Sequence, residues 1–111
     1  MRLFYYLVTL IVLIVQSISG STIRLPNERW LHIVEGHPEL AGHLNDVLLT
    51  VAAPDMVLQG SSDELLAAIY KQRDKLLVVV YKEEAIDGFI LTAYFTKKVN
   101  KLLTRTILWQ K

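Results

Sequence analysis

The period of the apolar residues changes at Pro54, and that change limits what this chain can fold into. Upstream, Trp30, Ile33 and Val34 fall at i, i+3 and i+4. Leu40, Leu44, Val47, Leu48 and Val51 then follow at i, i+4, i+7, i+8 and i+11, again one face of a helix. Downstream, short apolar runs and alternation take over, and residues 56–58, 65–70, 76–81, 89–96 and 104–109 read as strands. With 111 residues there is room for one domain. The expectation is α+β: a helical N-terminal half feeding a mostly antiparallel sheet.

The punctuation supports this division. Asn27 is suited to cap the first helix and Gly36 to stop it. Pro38 stands at the favoured first-turn position of a second helix, which Ala53-Pro54 ends. Residues 65–70 are ambiguous, because Ser61 and Glu64 form a capping box, but their short length and the charged turn after them favour a strand. Residues 76–81 are a continuous apolar run, as in a strand covered on both faces. After the Asp87-Gly88 turn, residues 89–96 place Phe89, Leu91, Ala93 and Phe95 on one face and Ile90, Thr92, Tyr94 and Thr96 on the other. This strand is expected between 76–82 and 104–110, its Phe89 face toward the helices. Ile90 is the discordant residue, lying on the face read as polar.

Residues 1–21 stand apart, the rest (22–111) forming the domain. Arg2, a thirteen-residue apolar run at 3–15 and the small residues Ser17, Ser19, Gly20 and Ser21 follow the order of a secretory signal peptide. The run is short for a membrane span, which needs about 20 apolar residues. Its Tyr, Val, Ile and Thr content also suits a strand. A leader implies secretion, retention as an anchor implies membrane contact, and an edge strand implies neither.

Charge is distributed unevenly. All eleven acidic residues lie between Glu28 and Asp87, whereas Lys97, Lys98, Lys101, Arg105 and Lys111 follow Gly88 with no acid among them. A basic C-terminal edge suits a phosphate-bearing partner, and it equally suits an edge strand that uses lysine against aggregation. There is no cysteine, no Gly-rich phosphate loop and no His-Glu-x-x-His pair. No cofactor or metal is expected.

Two groups of residues have chemical potential. His37 immediately precedes Pro38, where the start of a helix favours anions and a neutral imidazole able to act as a base. It serves equally as a junction filler. His32 shares a polar face with Glu28 and Glu35, and His43 one with Glu39 and Asp46; both read as surface. On the strand at 89–96, Thr92, Tyr94 and Thr96 are stacked two residues apart, with Lys82 ending the neighbouring strand and Lys97 and Arg105 available as further cations. Hydroxyls beside cations, facing a histidine, suit a phosphate in flight, or simply a half-buried β face.

In order along the chain come Glu28-Arg29-Trp30-Leu31-His32-Ile33, His37-Pro38-Glu39-Leu40, Pro54-Asp55, Val79-Val80-Tyr81-Lys82, Gly88-Phe89-Ile90, Thr92-Ala93-Tyr94-Phe95-Thr96 and Trp109. Over residues 22–111 this pattern resembles the phage barnase–EndoU–colicin–RelE-like nuclease group (PBECR-type domains). The resemblance implies two N-terminal helices packed on a curved, mostly antiparallel sheet of four to five strands. It implies metal-independent RNA cleavage by attack of the ribose 2′-OH, or a non-catalytic RNA- or protein-binding module on the same fold. On it, His37 transfers protons, Lys82 carries phosphate charge, and Thr92 and Tyr94 position the substrate; beside these, Thr96, Lys97 and Arg105 are candidates for binding it. RNA, a cognate antitoxin or an immunity protein are the implied partners, and the cytoplasm the implied compartment. The chain departs from the group at its start, where a short polar turn before residues 22–25 is replaced by the mostly apolar 10–20.

Overall fold

The computed structural model describes residues 12–85 and 87–111. The chain runs β1 (Val12–Gln16), β2 (Thr22–Pro26), α1 (Asn27–Gly36), a 3-10 turn (Pro38–Leu40), α2 (Leu44–Ala52), β3 (Met56–Gln59), β4 (Leu65–Gln72), β5 (Lys75–Glu84), β6 (Asp87–Thr96), α3 (Val99–Leu102) and β7 (Ile107–Gln110). Among the described residues one sheet contains seven strands, in the order β1-β2-β6-β5-β4-β3-β7.

The expected architecture is therefore corrected. The sheet has seven strands rather than four to five, and it is mixed, because β2 runs parallel to β6. Among the described residues two strands precede the first helix, so the helices do not come ahead of the sheet's first strands. Val12–Gln16 lies inside the run read as leader-like, yet it pairs antiparallel with β2 across five residues. Ser17 and Ser19, in the turn between them, donate hydroxyl hydrogen bonds of 2.5 and 2.6 Å to Glu83 and tie the hairpin to the end of β5. Residues 3–9, the strand-like start of the apolar run, lie outside the described residues. Among the described residues no helix is long and apolar enough to cross a membrane.

The stripe from Leu40 to Val51 is not one helix. Gly42 sits at φ +82°, a left-handed conformation open to glycine at little cost, and separates the 3-10 turn from α2. Nor does Asn27 cap α1: the extended Pro26 holds that position, with no side-chain bond.

The sheet is covered on both faces. On one, Ile33 of α1, Leu40 of the turn and Val47 and Val51 of α2 pack on Ile23, Leu25, Ala67, Leu77, Val79, Tyr81, Ile90 and Ala93. On the other, Leu102 of α3 closes a smaller cluster with Met56, Leu58, Leu66, Ala68, Leu76 and Val78. This is why residues 76–79 are apolar without interruption, and all four are fully buried.

Two details of β6 differ from expectation. Its register against β5 shifts between Val80 and Tyr81, pairing Val80 with Thr92 but Tyr81 with Ile90, so that Leu91 is bulged. The extra residue reverses the alternation, bringing Ile90 to the helix side with Ala93 and Phe95. The second neighbour of β6 is β2, over Asp87–Phe89, and not the C-terminal strand. That strand begins at Ile107 and pairs with β3 at the far edge. The apolar Val99, Leu102 and Leu103 carry the chain across the second face before β7 forms, which removes it from β6.

Candidate functional site

The site begins where a strand ladder ends. β2 pairs with β6 only from Thr22 to Arg24, so beyond Phe89 no described strand flanks β6 on that side. The end of α1 and the 3-10 turn pack against this open edge instead. His37 joins them. Its N–H donates to the Ile33 carbonyl at 2.8 Å, and its own carbonyl accepts from the Leu40 N–H at 3.0 Å. These bonds bring the half-buried imidazole to 6.3 Å from the Tyr94 ring, centroid to centroid. Glu39 Oε1 stands 3.3 Å from His37 Nδ1, leaving Nε2 as the nitrogen for proton exchange.

The helix-dipole argument for His37 does not survive this geometry. Pro38 opens only a three-residue 3-10 turn, too short to sum peptide dipoles. The sheet edge, not a helix start, sets the position of the imidazole.

Two concavities lie on either side of the His37–Tyr94 pair, His37 lining one and Tyr94 the other. The smaller, about 270 Å³, is lined by Arg29, His32, His37 and Thr92 among others. The larger, about 450 Å³, is lined by Tyr94, Thr96, Lys98, Lys101, Thr104 and Arg105, with Leu102. Burial raises the pKa of the Tyr94 hydroxyl above its usual 10.0, against a smaller opposing effect of Arg105, so it is protonated and a donor at neutral pH. Lys98, Lys101 and Arg105 form no ion pair among the described residues. Arg105 is steadied by the Gln59 carbonyl at 3.3 Å and Ser61 Oγ at 3.4 Å.

Of the residues singled out from the sequence, His37, Thr92 and Tyr94 lie together, and Thr96 and Arg105 line the adjoining cavity. Lys82 is elsewhere: it pairs with Phe89 in the ladder, and its Nζ stands 3.4 Å from Asp63. Lys97 is exposed and lines neither concavity; the next residue, Lys98, does. His32 has Glu35 at 3.8 Å in an exposed pair. His43 donates or accepts with Asp46 at 2.8 Å and meets Phe95 edge-on, away from Tyr94. Sequence reasoning did not place Arg29, Lys98, Lys101 or Thr104 in the site, although Lys98 and Lys101 were counted in the basic C-terminal edge. The signal for two of them was present: Lys98 and Lys101 are three apart, flanking Val99 and Leu102, the spacing of a short amphipathic helix.

Cations, hydroxyls and a histidine with one free ring nitrogen can bind a phosphodiester and move a proton beside it. Among the described residues no group of three His, Asp or Glu side chains is placed to hold a metal ion. Compared with known proteins, the chain matches no family model, no curated protein and no solved structure.

Proposed function

We propose that this chain is a metal-independent ribonuclease that cleaves RNA by attack of a ribose 2′-OH on the adjacent phosphate. One observation carries the reading: His37 and Tyr94 meet at 6.3 Å beside a cavity whose cations Lys98, Lys101 and Arg105 have no carboxylate partner among the described residues. The likeness of the His37-Pro38 and Thr92-Ala93-Tyr94 segments to the PBECR-type nucleases points the same way. His37 Nε2 takes the 2′-OH proton. The new O2′–P bond forms as the P–O5′ bond breaks, and water in the open cleft protonates the departing 5′-oxygen. Tyr94 donates a hydrogen bond to a non-bridging oxygen, Thr92 positions the strand, and Arg105 and Lys101 balance the charge. Lys82, held by Asp63 away from both concavities, is given no role in the reaction.

The test is RNA incubated with purified protein in the presence of a chelator, with the product ends identified. Cyclic 2′,3′-phosphate and 5′-hydroxyl ends are expected. His37→Ala should lower the rate by about 10²–10⁴-fold, the usual worth of a proton-transfer group. Its melting midpoint should hardly move, because the side chain is partly exposed and not in the apolar core. Full-rate cleavage by His37→Ala would refute the assignment. A second reading, a non-catalytic RNA-binding module, rests on the cavity cations Lys98, Lys101 and Arg105, which can hold a phosphate without any proton transfer; tight binding of RNA that stays intact supports it.

A further inference from the structure

We infer a second phosphate subsite, built on Arg29 of α1, that lies across the His37–Tyr94 pair from the Lys98, Lys101 and Arg105 cavity and makes the ligand an unpaired strand of at least two phosphates. The inference rests on the reading of the cleft as a nucleic-acid site. Arg29, His32, Gly36 and His37 fall at i, i+3, i+7 and i+8, on one side of the helix, and all four line the smaller concavity with Thr92. Thr92 and Tyr94 are two strand residues apart on one face, roughly 6.7 Å from the rise per residue. That separation is on the scale of a single nucleotide step. The two concavities thus present neighbouring sites along one strand, with the His37–Tyr94 pair between them.

Charge limits the new subsite to one phosphate. Arg29 is exposed and forms no ion pair among the described residues. Its companions are already engaged, His32 with Glu35 at 3.8 Å and His37 with Glu39 at 3.3 Å. Arg29 is therefore the cation left to meet an anion on this side, while three stand on the other. The path between them also selects the ligand. One concavity opens at the sheet edge under α1, and the other lies on the face crossed by α3. A strand that occupies both must turn around the edge of β6 within about one nucleotide. Duplex DNA, with a persistence length of about 50 nm, resists such a bend. A single strand does not.

The experiment measures binding of 2′-deoxy oligonucleotides, which lack the attacking hydroxyl, by fluorescence anisotropy across a salt series. Single strands bearing one, two and three phosphates are compared with one another, and a hairpin duplex is compared with an unstructured strand of the same number of phosphates. Affinity should step up when the second phosphate is added, and Arg29→Ala should abolish that step. Arg29→Ala and Lys101→Ala should each reduce the slope of log affinity against log salt by about 0.7, the release expected for one phosphate on a single strand. The hairpin should bind at least about tenfold more weakly than the strand of equal charge, reflecting the bend it resists. An unchanged slope and length step in Arg29→Ala would overturn the inference, as would a hairpin that competes equally. Cleavage that depends on His37 without an Arg29 footprint removes this subsite and leaves the ribonuclease standing. An Arg29-dependent footprint on RNA that is never cut removes the ribonuclease and leaves the subsite.

Discussion

Leu102→Ala perturbs the residue on which the basic cavity hangs. α3 is a single turn, too short to be stable by local bonding, so its position depends on packing. Leu102 is 8% exposed and closes the cluster formed by Met56, Leu58, Leu66, Ala68, Leu76 and Val78. The substitution removes roughly three methylene equivalents at about 0.8 kcal/mol each, or about 2.2 kcal/mol after allowing for the exposed fraction. A surface turn can settle into the gap, so the cavity penalty is small, and the total falls at about 2–3 kcal/mol, the low end for buried leucine. Against a stability of about 5–15 kcal/mol this is readily measured by urea unfolding, with an unchanged m-value expected. Lys98, Lys101 and Arg105 stand on or beside the same turn, so oligonucleotide affinity should fall as well. A loss below about 1 kcal/mol would refute the packing of Leu102, because it would place the side chain among those surface positions where substitution costs little.

Other substitutions test other parts of the structure. Leu48→Ala should cost about 1–2 kcal/mol in chemical unfolding, less than a fully enclosed leucine, because this side chain is only partly buried against the core. Gly88→Ala should destabilise far more than a surface change, since a Cβ there would meet the Lys82 carbonyl oxygen and Ile23; an unfolding midpoint equal to wild type would contradict that close approach. The hydrogen bond from His43, helped by Lys71, holds the Asp46 carboxyl below its ordinary value of 3.8. Its folded pKa is lower than its unfolded one, so its contribution is present above about 3.8 and is lost as pH falls through the folded value. Asp46→Asn should accordingly be less stable near neutrality, with the difference shrinking in acid; a difference that grows in acid would reverse the sign. Tyr94→Phe should leave the melting midpoint close to wild type while reducing cleavage by about 10–100-fold, the worth of one hydrogen bond to a charged oxygen.

Much of the local structure was legible in the residues. The change of period at Pro54, the uninterrupted run at 76–81 and the hydroxyls of Thr92, Tyr94 and Thr96 on one strand face all follow from side-chain spacing alone, because spacing reports which face of an element is buried. The grouping of His37 with Thr92 and Tyr94 came from side-chain chemistry and from resemblance, not from spacing. What spacing does not report is which element provides the cover. Val12–Gln16 becomes a strand because β2 offers a hydrogen-bonding partner, although the same apolar residues suit a leader. The Leu91 bulge arises where the ladder with β5 must bring Ile90 under the helices, and Gly42 breaks a stripe that reads as one continuous helix. Lys82 and Lys97 were plausible cations by sequence position. Asp63 engages the first, and the α3 turn presents Lys98 and Lys101 to the cavity instead of the second. The strand order, and with it the open edge of β6 where His37 reaches Tyr94, depends on contacts between residues far apart in the chain. Local pattern determines what each segment is able to bury; only the packed molecule decides what it is buried against.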